Sequence, residues 1–578
     1  MSYWHIQMNQ PWGRDGGSID SKLLLQEKYP VIGTGDWNHI QCRYFTNENN
    51  DGIQKNDIIL VREGSLPIAL CLIESNCFTD PELEQKYHHH YFRKVKIIEF
   101  FSEKSKKILN DCLQKYGTKY IQASGTLTYC QNENATNSFI KEWHSLTIKE
   151  KKMNNYIDLL TYKKQIILQG PPGTGKTRQA KELAIQLLGL SSTEELKDNP
   201  QFKIIQFHPS YTYEDFVRGI VAKPNPAGQG ILYIAENKTL GEFAREATEN
   251  YNDSKKAPEE ISKENWIQKN YENFKETLEK ELEERGEIII KDDTKPKIIS
   301  IEENAIRVNR YSNENDSILI KDSDIIEGYK GLYLSSPVIK IRENSILSKS
   351  ARSGMYYLYQ NLIENFKNYL NENNISFIKN TNDQKQELKP YVLVIDEINR
   401  ANLSSVLGEL IYALEYRGKA VESMYDVDGN DLILPSNLYI IGTMNTADRS
   451  VGHIDYAIRR RFAFIDVLPE PLEDDEHIHF NNEGFKKVSE LFKNGNVSGE
   501  FEAKDVQLGH SYFIAKNEDI QDGQTKEEIF RMKMNYEVVP ILLEYVKDGV
   551  LIGTFEDKND NNKEYNIKDY INTLKINN

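Results

Sequence analysis

Hydrophobic and polar positions change their rhythm along this chain. The first hundred residues carry short apolar runs between turns, at His39-Ile40-Gln41-Cys42-Arg43-Tyr44-Phe45, Asp57-Ile58-Ile59-Leu60-Val61 and Ile68-Ala69-Leu70-Cys71-Leu72-Ile73. Their β-branched and aromatic content, punctuated by Gly64 and Pro67, predicts strands of a small half-open barrel. From about 105 to 160 the pattern predicts a helical connection. Beyond Lys164 come continuous apolar runs, Gln165–Leu168, Lys203–Phe207, Val392–Ile395 and Leu438–Ile441, with a helix from about Lys176 to Leu188 after the first. Buried strands alternating with helices predict a parallel α/β sheet covered on both faces.

The second and third of these strands are far apart in sequence, and an insertion from about 222 to 385 is expected between them. It contains an amphipathic helix, with Ile267, Tyr271, Phe274, Leu278 and Leu282 on one face and Gly286 as its stop. Strands are expected at Ile288–Ile290 and Ile298–Ile301. A structural unit with its own small core is one reading, and contact with a partner or DNA is the other. After Pro469 the chain becomes helical and acidic. The expected domains are 1–150, 151–468 including the insertion, and a C-terminal helical subdomain over 469–578.

Composition narrows the class. A chain of 578 residues is too long for a single core. With 88 acidic and 72 basic side chains, the formal charge of -16 argues against a basic surface that binds any polyanion. The first 110 residues are nearly neutral, with 13 Lys and Arg against 14 Asp and Glu. No apolar run is long enough to span a bilayer, and the first residues lack a signal-peptide pattern, so a cytoplasmic protein without membrane contact is expected. Five cysteines without a C-x-x-C pair disfavour a disulfide framework or a zinc knot.

Candidate chemistry begins at Gly170-Pro171-Pro172-Gly173-Thr174-Gly175-Lys176-Thr177, a full G-x-x-x-x-G-K-[ST] match between an apolar strand and a helix. Its glycines let backbone N–H groups cradle phosphate oxygens, and the helix N-terminus adds partial positive charge. Lys176 is expected to reach the β/γ phosphates and Thr177 to hold Mg²⁺. Tyr391–Glu397 supplies a strand ending in two carboxylates, Asp396 to complete the Mg²⁺ shell through water and Glu397 to polarise the attacking water. Asn445, at the end of another apolar strand, is suited to hold that water. Arg459-Arg460-Arg461 follows, placed as ring-forming ATPases place arginines that reach a neighbour's nucleotide.

Together with Phe207–Phe216, Asp396–Asn402, Met444-Asn445-Thr446-Ala447-Asp448-Arg449-Ser450, Asp455–Phe462 and Gly509-His510-Ser511-Tyr512-Phe513, these segments resemble the McrB family. Its members are the AAA+ motor subunits of modification-dependent McrBC restriction systems. The resemblance covers about 160–550, apart from much of the insertion. It implies an AAA+ P-loop NTPase fold, hydrolysis of GTP rather than ATP, a hexameric ring and a separately encoded McrC-like nuclease. By the same resemblance Asn445 and Asp448 support hydrolysis, Arg460 and Arg461 act in trans, and Arg400 steadies the interface. Guanine preference follows from the resemblance alone, because the loop reads phosphates and not bases.

The N-terminal segments Tyr3-Trp4-His5-Ile6 and Asn56–Val61, followed by Pro67-Ile68-Ala69, resemble an EVE or related PUA-like domain. Such domains take a modified base flipped from double-stranded DNA into a pocket, where stacking and edge hydrogen bonds offset the lost base stack. Trp12, Trp37, Tyr44 and Phe45 are candidates for that pocket, with Asn38 or Asp36 reading polar edges. Trp37 leads, because a glycine-rich loop carries it. The alternative assigns these aromatics to the core. His88-His89-His90 is not expected to chelate a metal, since consecutive residues point apart. Arg93, Lys94, Lys96, Lys104, Lys106 and Lys107 form a basic concentration, a solvated face by default and a phosphate-backbone contact otherwise. Two competing functions remain: an ATP-dependent MoxR-like remodeller of proteins, and a modified-nucleic-acid binding module whose nucleotide site controls assembly.

Overall fold

The computed structural model describes residues 1–8, 21–36, 40–47, 50–122, 125–224, 231–290, 296–309, 317–377, 385–425, 427, 431–448, 454–475, 477–493, 495–520, 524–557 and 563–576. The chain divides into two compact units, Met1–Tyr162 and Lys163–Asn578.

The first unit is built on six strands, β1 (Tyr3–Gln7), β2 (Val31–Thr34), β3 (Ile58–Glu63), β4 (Leu66–Ile73), β5 (Tyr91–Phe100) and β6 (Leu127–Tyr129). They form one open sheet in the order β2-β5-β4-β3-β1-β6, antiparallel except for the β1–β3 pair. Both faces are buried, which is why β3 is apolar at every position from Ile58 to Val61. Ile59 and Val61 point into one core with Trp4, Phe45 and Phe92. Ile58 and Leu60 point into another with Ile108, Phe139 and Trp143. The expected connection at 105–160 therefore does more than link domains: helices Glu103–Lys115 and Ala135–Lys163 carry this second core, and β6 between them extends the sheet.

Two expectations in this unit are corrected. Where a strand is expected at His39–Phe45, the described residues Ile40–Thr46 form a helix that buries Cys42 and Phe45, three residues apart. Seven residues are too few for period two and period three to be told apart. Arg93 is not part of an exposed basic face. It is buried, donating to the Phe45 carbonyl at 2.7 Å and the Ser75 carbonyl at 3.0 Å, with its guanidinium over the Phe45 ring.

The second unit is organised by a parallel sheet of β7 (Gln165–Gly170), β8 (Phe202–Gln206), β9 (Tyr391–Asp396), β10 (Leu438–Asn445) and β11 (Ala463–Asp466), in the order β11-β7-β10-β9-β8. Parallel strands all present their C-terminal ends on one edge, where ligand sites of such sheets are built. The predicted parallel α/β architecture is the one observed.

Between β8 and β9 the chain departs from the sheet, but the segment with its own core is shorter than the expected 222–385. Helix Thr239–Asp253 buries Leu240, Phe243, Ala244 and Ala247 in the core of the parallel sheet, so it belongs to that domain. The separate core starts with helix Pro258–Arg285, ended by Gly286 at φ 76°, and adds a four-stranded antiparallel sheet and helix Tyr356–Glu372. At its centre Phe366 lies 5.3 Å from Tyr271, 5.5 Å from Phe274 and 5.0 Å from Tyr329, ring centre to ring centre. C-terminal helices such as Asn482–Leu491, Val539–Lys547 and Ile567–Thr573 form a further core. No helix among the described residues is long and apolar enough to cross a membrane.

Because the inserted core is separate, damage to it should stay local. Phe366→Ala removes a fully buried ring and is expected to cost about 3–5 kcal/mol. Hydrogen exchange should accelerate across 258–375 while the peptides of β7 and the following helix keep their protection. Equal acceleration in both regions would contradict a separate core.

Candidate functional site

The loop from Gly170 to Thr177 turns from β7 into helix Lys176–Leu188. Gly173 and Gly175 have φ of 80° and 77°, a region that side chains with a Cβ enter only at a cost. At Gly173 space forbids a side chain as well, since a Cβ would lie 2.6 Å from Ser511 Oγ and 2.7 Å from the Tyr512 ring. Lys176 is buried and donates to the carbonyls of Gly170 at 2.9 Å and Pro171 at 2.8 Å. Burial pushes its ammonium down to about 8, against the opposing pull of Glu397 and Asp396.

The strand ends complete the site. Asp396 Oδ1, at the end of β9, accepts from Thr177 Oγ1 at 2.7 Å and from Thr443 Oγ1, on β10, at 2.6 Å. Glu397 follows with φ 54°, a left-handed conformation uncommon for glutamate, and its N–H donates to Thr443 Oγ1 at 3.1 Å. The Glu397 side chain accepts a short hydrogen bond from Asn445 Nδ2. Arg400 Nε stands 3.4 Å from Glu397 Oε2, and its Nη2 stands 3.8 Å from Asp448 Oδ2. Asn399 donates to the Asn445 carbonyl at 3.1 Å.

Glu397, Asn445, Asp448 and Arg400 thus meet in one place beside the loop and Asp396. Thr177 Oγ1 and the Asp396 carboxylate form an all-oxygen donor set, which suits Mg²⁺. Arg460 and Arg461 lie apart from this cluster, where both pair with Glu415, at 2.7 and 3.1 Å. Their exposures differ: the Arg460 side chain is 67% exposed and that of Arg461 is 11% exposed, the latter also donating to the Ala457 carbonyl. Only Arg460 is free to extend outward without unpacking.

Three contributors escaped the sequence reading of the site. Thr443 is a hydroxyl inside an apolar strand, and that oddity was its signal. Asn399 lies in the Asp396–Asn402 segment without drawing notice. His510 sits in Gly509–Phe513, whose backbone hooks onto the loop: Gly509 N donates to the Pro172 carbonyl at 3.0 Å and Ser511 N to the Gly173 carbonyl at 2.9 Å.

In the N-terminal unit, Trp12, Trp37 and Asn38 lie outside the described residues. Tyr44 is half-buried with its ring 6.1 Å from that of Trp4. Phe45 is fully buried and leaves the set of base-stacking candidates, because its ring is core. His88 ends a helix, His89 is buried and His90 pairs with Glu84 at 2.9 Å, so the three rings have separate surroundings.

A profile of the AAA domain (dynein-related subfamily) matches residues 338–462, a stretch that contains Asp396, Glu397 and Asn445. The "Type IV methyl-directed restriction enzyme EcoKMcrB subunit" of Escherichia coli (strain K12) is 26% identical over 441 residues, covering 74% of this chain and 61% of the relative. The chain is thus similar to an McrB subunit over most of its length and carries an AAA domain. It spans less than two thirds of that relative's length. The "Type II restriction enzyme BsuMI component YdiS" of Bacillus subtilis (strain 168) is 39% identical over 95 residues, 14% of this chain and 27% of the relative.

The depressed Lys176 gives the site a pH signature. An anion on the loop favours the charged ammonium, which an ordinary lysine keeps to about pH 10.4. Here affinity for a polyphosphate ligand should weaken as pH rises through about 8, approaching tenfold per pH unit. Calorimetric titrations from pH 7 to 9.5 test this. A flat profile for the wild type would contradict a buried, depressed Lys176, and Lys176→Arg should flatten it.

Proposed function

We propose that this chain is the GTP-hydrolysing motor of a cytoplasmic DNA restriction system. It acts as a ring of its own copies, hexameric by family likeness, and drives a separate McrC-like nuclease on modified double-stranded DNA. The observation that carries this is the convergence of Asp396, Glu397 and Asn445 on the loop that ends in Lys176 and Thr177. Phosphoryl transfer asks for little more than positioning and charge. The loop amides and Lys176 hold the phosphates, and Thr177 with Asp396 would hold Mg²⁺, a cation that would supply charge neutralisation at the phosphates. Glu397, kept in place by Asn445 and Arg400, orients and polarises the attacking water. Asp448 holds Arg400 from its other side. Arg460, exposed on the surface, supplies the positive charge in a neighbour's site, with Arg461 packed behind it.

GTP in preference to ATP rests on likeness to the McrB family, as does the partner nuclease. The name of the Escherichia coli relative points to methylated DNA as the target. The reading unit is residues 1–150, an EVE/PUA-like domain with Trp37, Trp12, Tyr44 and Asn38 as the remaining base-contacting candidates. The near-neutral charge of its first 110 residues favours selection by a pocket over bulk attraction.

Turnover measured side by side with GTP and ATP, with and without the nuclease partner, tests the proposal. GTP turnover should exceed ATP turnover and rise with the partner. Glu397→Gln and Lys176→Ala should each lower it by about 10² or more. ATP preference with no response to the partner would favour a MoxR-like remodeller. Binding without multiple turnover would favour a module that uses nucleotide only for assembly.

A further inference from the structure

The segment Gly509–Tyr512 reaches the phosphate loop from the C-terminal subdomain, and its position there is fixed. Two backbone hydrogen bonds tie it to Pro172 and Gly173, and a Cβ on Gly509 would lie 2.1 Å from the Gly173 carbonyl carbon. The two backbones are therefore in direct contact. This contact holds His510 over the start of the loop's helix, where a Cβ built on Gly175 would lie 3.6 Å from His510 Nε2. The other ring nitrogen, Nδ1, is buried with no hydrogen-bond partner among the described residues. A buried imidazole nitrogen without a partner is costly, and its persistence at a ligand site is a sign of use.

Position on the loop decides what His510 can meet. Lys176 turns its ammonium toward Gly170 and Pro171 and marks the β/γ end, where Asp396 and Glu397 also lie. The charged groups acting on His510 are instead Glu470, in the chain that follows β11, and Arg178, in the first turn of the helix. In the sheet, β11 flanks β7 on one side, and β10 with β9, which carry the catalytic cluster, lie on the other. His510 is thus set off from the γ-phosphate chemistry.

We propose that His510 contacts the nucleoside end of the bound nucleotide, its ribose and purine, and that the backbone hooks of Gly509 and Ser511 exist to position it. This rests on the phosphate loop being a nucleotide site. The ring has one N–H donor and one acceptor when neutral, and burial lowers its affinity for a second proton. A neutral imidazole suits hydroxyl and base edges better than a phosphate, which would favour a cation.

The test compares ligands that share phosphates and differ in the nucleoside. The full-length protein is titrated with GDP, ADP and inorganic tripolyphosphate, as wild type, His510→Ala and His510→Gln. His510→Ala should weaken GDP or ADP binding about tenfold and leave tripolyphosphate affinity unchanged. His510→Gln, which keeps a donor and an acceptor, should recover part of the loss. Should His510→Ala also lower the melting temperature, the ratio of nucleotide to tripolyphosphate affinity remains the readout, because a disordered site loses both. Unchanged nucleotide affinity, or an equal loss for tripolyphosphate, overturns the proposal. Lys176→Ala should lose all three ligands. Wild-type protein that binds none of them would overturn the nucleotide reading itself, a different result from either of those.

Discussion

One carboxylate oxygen holds the site together. Asp396 Oδ1 accepts hydroxyl protons from Thr177 and Thr443, and thereby joins the phosphate loop, β9 and β10 at the edge where the parallel strands end. Hydrogen bonds to a charged acceptor are worth about 1.5–3 kcal/mol each. Thr443 then passes the constraint on, accepting the backbone N–H of Glu397. Glu397 sits in a left-handed conformation that costs about 1–2 kcal/mol. That conformation turns its side chain to Asn445 and Arg400 in place of continuing along the strand. The hub offsets the strain, and the strain aims the carboxylate.

The phosphate loop is also held from above. A side chain at Gly173 would meet Ser511 and Tyr512, and one at Gly509 would meet the Gly173 backbone, so the loop and the C-terminal subdomain are in close contact. The C-terminal helices pack behind Gly509–Tyr512, with Phe513 in their core. The arginines of helix Tyr456–Arg461 follow a different logic. Arg461 is packed and Arg460 projects, as a residue meant for another copy would.

What the sequence displayed and what it concealed divide by locality. The apolar strands of the parallel sheet are continuous runs, and strands buried on both faces are legible without knowing their order. The phosphate loop stood out for the same reason, since its glycines, lysine and threonine are neighbours in the chain. Thr443 and His510 come from positions far along the chain, and only folding brings them to the loop. Arg93 looked like surface within a basic run, yet two carbonyls and the Phe45 ring take it into the core. Helix Thr239–Asp253 looked like part of the insertion because composition does not say which core an amphipathic face will meet. The helix at Ile40–Thr46 was too short for its period to show.

In the proposed function a complete hydrolytic site draws on two copies of the chain, one giving Glu397 and the other Arg460. Mixing two inactive variants, Glu397→Gln and Arg460→Ala, and measuring GTP turnover tests it most directly. A mixture that regains activity, through sites pairing an intact Glu397 with an intact Arg460, is the predicted result. Turnover that stays at the level of the separate variants, or an Arg460→Ala protein that is active alone, would contradict it.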